Sequence, residues 1–385
     1  MNKFVIGALA ITSAGSLAYA GGDETRAWST LDRDILSLTQ NQGAPAAGAF
    51  GINGFVRARG VRSSDVDADP ATPATNEDLS GFLLDNARLE VNASQGDYGA
   101  FIAIDAANNS DPTKDGTATL LDAFATFKIA EGISGQAGRF KKPFLWSGFM
   151  VNDNNMVLLD HTFNSQAFQR REDGVQLSGV YDHLGWWASL QNGIDGMEGD
   201  ISWTTRVAVN ALGSGSGKQE GAFGASGETS IMLGAAYTDD EGADQTGNVN
   251  SGGAWGIDGS LIQGGLSVHF EVVDYQHDVQ PNNALNSKTG VINPTSATAA
   301  TGQSETPWSA TAGYMLTPDV VEVVLRYEDL DDDDNTTIWT LGVNYYISGH
   351  NAKWTLQGSR SNSDLTTGAN NKEADTIAFG LTVGV

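Results

Sequence analysis

The chain has no cysteine among its 385 residues. That excludes disulfides, thiolate metal sites and a lipid-modified cysteine anchor. Positive charge is scarce as well: 21 Lys plus Arg stand against 47 Asp plus Glu, a formal charge of -26. A field of that sign repels nucleic acid and anionic membrane surfaces, so no nucleic-acid partner is expected. Histidine is limited to His161, His183, His269, His277 and His350, and none stands in a G-x-S-x-G or H-E-x-x-H frame. No enzyme and no cofactor are expected on that ground. After residue 20 the chain lacks any apolar run of about 18 residues, which excludes a membrane-crossing helix. A mean hydropathy of -0.23 leaves a membrane β-barrel open, because barrel strands are apolar on one side only.

What is present begins with MNKFVIGALAITSAGSLAYA, a lysine, an apolar run and a closing Ala-Tyr-Ala. This pattern predicts a secretory signal peptide over 1–20. Trp28, Leu31, Ile35 and Leu38 then recur at spacings of three and four, which predicts a short periplasmic helix within 21–48, followed by a small-residue linker.

From residue 49 to 385 the period changes to two. Sixteen segments show one apolar parity: 49–60, 81–95, 97–106, 118–130, 132–141, 173–182, 184–192, 201–211, 229–239, 253–263, 265–275, 307–317, 319–330, 335–348, 350–361 and 373–385. An even number suits a closed antiparallel transmembrane barrel of the bacterial outer membrane, with both ends of the chain on the periplasmic side. The links alternate short and long as such a barrel requires. As exceptions, the external link 331–334 is short, and 212–228, LGSGSGKQEGAFGASGE, disagrees outright, being long where a periplasmic turn belongs. Its Gly/Ser content reads as a flexible turn. The last strand, DTIAFGLTVGV, is expected to pair with 49–60 and close the barrel.

Aromatic residues on the apolar parity sort to the segment ends. Trp203, Tyr237, Trp255, Trp308, Tyr327 and Trp339 fall near the external ends, and Tyr98, Tyr181, Trp186, Tyr314, Tyr345 and Trp354 near the periplasmic ends. Two girdles at the bilayer interfaces are the expected outcome, with outer-membrane lipid as the surrounding partner. The opposite parity is polar. Its candidate lumen-lining residues are Arg57, Arg59, Arg88, Lys128, Arg206, Glu271, Glu322 and Arg326, with Glu90, Asp105, Asp122, Asp258, His269, Glu328 and Lys353 beside them. Charges in such number do not suit a dry core, and sixteen strands are wide enough for an aqueous channel.

The third external link, KPFLWSGFMVNDNNMVLLDHTFNSQAFQRRE over 142–172, is unusually apolar for an exposed loop. Folding it back into the barrel would bury it and narrow the channel. Its shoulders are basic: Arg139, Lys141, Lys142, Arg170 and Arg171 face only Asp153 and Asp160 within 139–171. GRFKKPF at 138–144 and QRREDGVQLSG at 169–179 resemble the phosphate-selective (O/P-type) porin family. The resemblance is strongest over 130–180, and over 49–385 it extends to the strand pattern alone. It implies a trimeric sixteen-stranded outer-membrane channel whose third loop folds inward. It also implies that Arg139, Lys141, Lys142, Arg170 and Arg171 are constriction or loop-anchoring residues. This chain departs from the family in two respects. Its external links are acidic, with Asp65, Asp67, Asp69, Glu77 and Asp78 in the first and Asp331 to Asp334 in the seventh, and it ends in Val385 where many outer-membrane barrels end in Phe. A negative mouth accumulates cations, whereas the basic shoulders favour anions locally.

The expected function is passive diffusion of small hydrophilic solutes or ions. The alternative is a structural or anchoring barrel with little conductance. Asp331–Asp334 offers oxygen ligands to calcium but lacks the spacing and glycine of a dedicated loop.

Overall fold

A computed structural model of the chain describes residues 50–67, 76–107, 118–193, 201–213, 217–225, 227–240, 252–275, 306–331, 335–362 and 373–385. The expected signal peptide, the helix in 21–48 and most of the acidic external links lie outside these residues. The strands are β1 Phe50–Asp67, β2 Asn76–Gln95, β3 Tyr98–Asp105, β4 Thr119–Ala130, β5 Ile133–Lys141, β6 Arg171–Tyr181, β7 Leu184–Asn192 and β8 Ile201–Leu212. They continue as β9 Ser230–Asp240, β10 Gly252–Gln263, β11 Leu266–Tyr275, β12 Trp308–Thr317, β13 Val321–Asp329, β14 Thr337–Tyr346, β15 Ala352–Asn362 and β16 Glu373–Gly384. Each pairs antiparallel with its sequence neighbours, and β16 pairs with β1, so the sheet is a closed barrel.

Alternation fixes the two faces. Across β13 and β14 the register sets Val323 beside Val343, Leu325 beside Leu341 and Tyr327 beside Trp339 on the outside. The same register sets Glu322 beside Asn344 and Arg326 beside Thr340, all four buried, on the inside. A one-residue slip would turn every inner charge onto the apolar outer face, so the pattern specifies the register. External aromatic positions form two files of touching rings. Trp203, Tyr237 and Trp255 meet as tilted rings at 5.0 and 4.5 Å, and Trp308, Tyr327 and Trp339 at 5.1 and 4.6 Å. Rings at such separations stabilise adjacent strands beyond the area they cover.

Links after the even-numbered strands gather at one end, and most are tight. Gly96, Gly132, Asp182, Gly264, Asp319 and Gly349 each supply a positive φ there. Gly96, at φ 60°, shows why: a two-residue hairpin turn needs left-handed backbone to match the twist of its strands.

The first hairpin differs from expectation. Residues 61–80 are not all loop, because the β1–β2 ladder continues to Asp67 and Asn76. Backbone pairing alone sustains this part of the ladder, where no apolar alternation marks it. A bulge in the same hairpin leaves Asp85 as the extra residue between Leu84, opposite Ala58, and Asn86, opposite Arg57. Asp85 and Asn86 are consequently both buried on the inner side.

Candidate functional site

Segment 142–170, between β5 and β6, is short of regular structure. It holds a single helical turn α1, Trp146–Phe149, a 3-10 turn at Asp153–Asn155, and a short helix α2, Phe163–Phe168. Thr162 caps α2 by accepting a hydrogen bond from the Ser165 amide, 3.1 Å.

Its apolar side chains are buried against apolar seats on the inner face of the strands. Phe144 and Leu145 pack with Ala236, Ala254, Val273 and Tyr275. Trp146, Phe149 and Met150 pack with Trp187, Ala208 and Met232, and Leu159 packs with Val61 and Ala378. Leu158 meets Val324, and Phe163 meets Leu330 and Ile338. Inner-face glycines make room for these side chains. A Cβ on Gly256 would lie 2.9 Å from the Phe144 ring, one on Gly380 2.5 Å from Leu159, and one on Gly342 would collide with Leu158.

The polar contacts of the segment run around the barrel. Arg57 of β1 donates to the Asp153 carbonyl at 2.9 Å, and Arg59 donates to the Asp160 carboxylate at 2.8 Å and to Asp85 at 2.6 Å. Arg88 of β2 pairs with Asp153 and, at 3.3 Å, with Asp105. On the far side, Arg206 of β8 donates to the Phe144 carbonyl and to both oxygens of Asp258. Glu271 of β11 accepts from Ser147 and Thr162, and Glu328 of β13 accepts from the Phe163 amide. Arg326 donates to the Asp160 carbonyl at 2.7 Å, Asn344 to the Val157 carbonyl at 2.8 Å, and Lys353 to the Met156 carbonyl. Buried carboxylates and guanidiniums are tolerable only when paired in this way.

Three ionisable groups of the segment respond to that setting. Burial opposes ionisation of Asp153, but Arg88 and the bond from His161 outweigh it and hold its carboxyl well below the usual range. Asp160 is lowered likewise, burial being outweighed by Arg59. Burial lowers His161 despite Asp153, which favours the neutral ring. That ring donates from Nε2 to Asp153 at 2.6 Å, and its Nδ1 accepts from the Ser165 hydroxyl at 3.1 Å.

The five basic candidates do not form one cluster. Lys141 donates to the Val151 carbonyl at 3.2 Å. Lys142 donates to Ser202 at 2.7 Å and lies 3.8 Å from Glu172 and 3.7 Å from Asp240. Arg171 donates to Asp122 at 3.1 Å, and Arg170, half-buried at the end of the segment, accepts from the Lys142 amide through its carbonyl. Arg139 stands apart. It shares a face with Asp173, 3.5 Å away, and Asp173 is followed on that face by the exposed Val175 and Leu177, so the pair is on the outside of the barrel. Along β5 Gln136 and Phe140, odd-numbered steps from Arg139, are buried, and Lys141 turns inward only at the strand end, where it meets Val151. Among the lumen-lining candidates, Arg57, Arg59, Arg88, Arg206, Glu271, Glu322 and Arg326 are buried on the inner side, while Lys128 is exposed at the end of β4.

Two contributors were not singled out by sequence. Asp85 reaches Arg59 because the bulge turns it inward, and bulges leave no clear mark in a period-two pattern. The second is the link between β8 and β9. Its described part, 217–225, is not a free turn. Glu220, Gly221 and Ala222 are buried, and Phe223 packs on Tyr346 at 4.8 Å. Glycines and serines hide these anchors in the composition, because their partners are distant in sequence. Among the described residues no group of His, Asp and Glu is arranged to hold a metal. Asp331 accepts from the Thr306 amide at 2.8 Å, and Asp332 to Asp334 lie outside the described residues.

No protein-family description matches the chain, and no curated protein sequence does. Solved structures do. The outer membrane channel DcaP of Acinetobacter baumannii is 12% identical, with a TM-score of 0.55, covering 89% of this chain and 99% of that one. A loop L8 deletion mutant of OmpT, an outer membrane protein of Vibrio cholerae, is 12% identical with a TM-score of 0.55, covering 88% and 100%. Salmonella typhi OmpF, in complex with daunomycin, is 12% identical with a TM-score of 0.55, covering 88% and 98%. At such identity the likeness is one of fold. With the outward apolar face, the aromatic files and the buried polar interior, it defines this chain as a closed antiparallel β-barrel with the sixteen-stranded porin architecture.

Proposed function

We propose that the protein is an outer-membrane porin that passes small hydrophilic solutes or ions by passive diffusion, with segment 142–170 folded inward as its size-limiting element. One observation carries the reading: the segment bonds to inner-face side chains of β1, β2, β8, β11, β13, β14 and β15, which no loop lying outside the barrel reaches together. The basic shoulders then serve as anchors. Lys142 and Arg171 each face a carboxylate, so they do not leave a basic ring for anions. With a chain charge of -26 we infer a weak preference for cations, and no phosphate selectivity despite the O/P-type resemblance. A homotrimer is part of this proposal, supported by a trimer form recorded for the Vibrio cholerae OmpT neighbour, which shares the fold at a TM-score of 0.52.

Reversal potential across a KCl gradient in a planar bilayer tests it. A cation-selective value, unaltered by inorganic phosphate, is expected, and an anion-selective one overturns the charge assignment. Absence of any conductance favours the second reading, a structural barrel. That alternative draws on the quantity of protein packed against the inner face, from both 142–170 and 217–225.

A further inference from the structure

The β8–β9 link joins strands at the end of the barrel opposite to the one from which segment 142–170 departs, because β8 is even-numbered and β5 is odd. Its ends are already adjacent, Leu212 pairing with Ile231. A hairpin there needs only a few residues. The described residues 217–225 instead reach along the inner wall to β11, β12 and β13. The Ala222 amide donates to Glu322 of β13 at 3.1 Å, the Gly221 amide to His269 of β11 at 3.4 Å, and the Gly224 amide to Asp319 in the β12–β13 turn at 2.8 Å. Ala222 joins a buried cluster with Met315 and Tyr346, and Phe223 packs on it.

The link also meets segment 142–170. The Trp146 indole donates from Nε1 to the Gly217 carbonyl at 2.8 Å. Glu220 makes the closest union: its amide donates to the Asn155 carbonyl at 3.0 Å, and its Oε2 accepts from the Val157 amide at 2.9 Å. Its carboxylate lies 4.0 Å from the Arg326 guanidinium. A buried carboxylate that takes an amide from one element and faces a cation on another fixes the two relative to each other. Beside this junction a pocket open to solvent remains along β2–β5. Glu90 and Asp122 line it from the wall, Asn152 from the segment, and Lys218 from the link.

We propose that residues 217–225 are a second constriction element, inserted from the turn end of the barrel, in which Glu220 is the positioning residue that latches the link to segment 142–170 and Lys218 lines the passage left open. Permeation is thereby confined to the β2–β5 side, where Lys218 acts on the selectivity of the pore. The inference rests on the channel reading above.

Excision of residues 217–225 tests it, since 213–216 and 226–229 still suffice to join Leu212 to Ile231. In planar bilayers the folded excision variant is expected to show unit conductance raised about twofold or more over the intact protein, because a passage bounded by two elements is then bounded by one. Glu220→Ala, which keeps the link but removes the latch, is expected to give larger and less steady openings than Glu220→Gln, which retains an acceptor oxygen. An intact protein that is silent while the excision variant conducts also supports the proposal. Equal unit conductance in the two overturns it and leaves the channel reading standing. Silence in both overturns the channel reading, and the constriction with it. Should the excision variant fail to fold, Lys218→Cys answers in its place, because the chain has no native cysteine. Modification with a bulky cationic thiol reagent is expected to reduce the current of Lys218→Cys and shift its reversal potential toward anions. A fully modified variant with unchanged current and selectivity overturns the proposal.

Discussion

Asp153 ties segment 142–170 to both β1 and β2. It accepts from Arg88, from Asn86 at 3.1 Å and from His161 at 2.6 Å, and its carbonyl accepts from Arg57 at 2.9 Å. Its carboxyl is held well below the usual range when docked, burial being outweighed by Arg88 and His161. The stabilisation this gives is complete above the free carboxyl's value of about 3.9 and is lost as pH falls through the lower docked value. His161 acts with the same sign. Burial lowers its docked value, so below about 6.5 a released segment takes up a proton that the docked one refuses. Docking therefore weakens first as pH falls from about 6.5, and again below about 4. Amide hydrogen exchange, corrected for the intrinsic pH dependence of exchange, is expected to show less protection over residues 150–165 at pH 5 than at pH 8. His161→Gln, which cannot take up a proton, is expected to flatten the step near 6.5 and leave the acid step in place.

At the scale of elements, the strands and the segment were legible to different degrees. Period-two alternation marked every strand, because each has one exposed apolar face and one face against polar groups. Aromatic ends marked the external files for the same reason. The β1–β2 extension beyond Ser63 and Leu79 has no such contrast to read. Tertiary fit was also hidden: Gly256, Gly342 and Gly380 look like ordinary small inner-face residues, and only the fold brings them against Phe144, Leu158 and Leu159. The β8–β9 link was illegible for that reason too, since Glu220 meets Val157 across 63 positions. The glycine seats make a distinct prediction. Gly342→Leu and Gly380→Leu keep the strands, where neither residue has a positive φ, but remove the space that Leu158 and Leu159 fill. Limited proteolysis is expected to cut within 150–162 faster in both variants than in the parent. Gly81→Leu, at a position with open space about it, is expected to leave that rate unchanged.

For the whole molecule, the decisive relation is between the closing strand and the bilayer. β16 pairs with β1 from Asp375 opposite Ser64 to Gly384 opposite Phe55, and the Val385 amide donates to the Gly54 carbonyl at 2.9 Å. A barrel lacking this seam would leave two unpaired edges in hydrocarbon. Along β16 the inner parity is Ala374, Thr376, Ala378, Gly380 and Thr382, all buried, while Ile377, Phe379 and Val383 are exposed on the outer parity. Phe379 is midway along the strand, stacked on Trp354 of β15 at 4.8 Å, and Val383 is next to its end. If the outer face meets lipid, the penalty for a charge must depend on depth along one strand and not on exposure alone, since the two residues are similarly exposed, at 49% and 44%. Phe379→Arg is then expected to cost about 2–4 kcal/mol in urea-dependent folding into phospholipid vesicles, and Val383→Arg only about 0–1 kcal/mol. A soluble barrel with the same apolar exterior would show no such gradient, because water reaches both positions equally. Equal losses at the two sites would therefore remove the bilayer from the account.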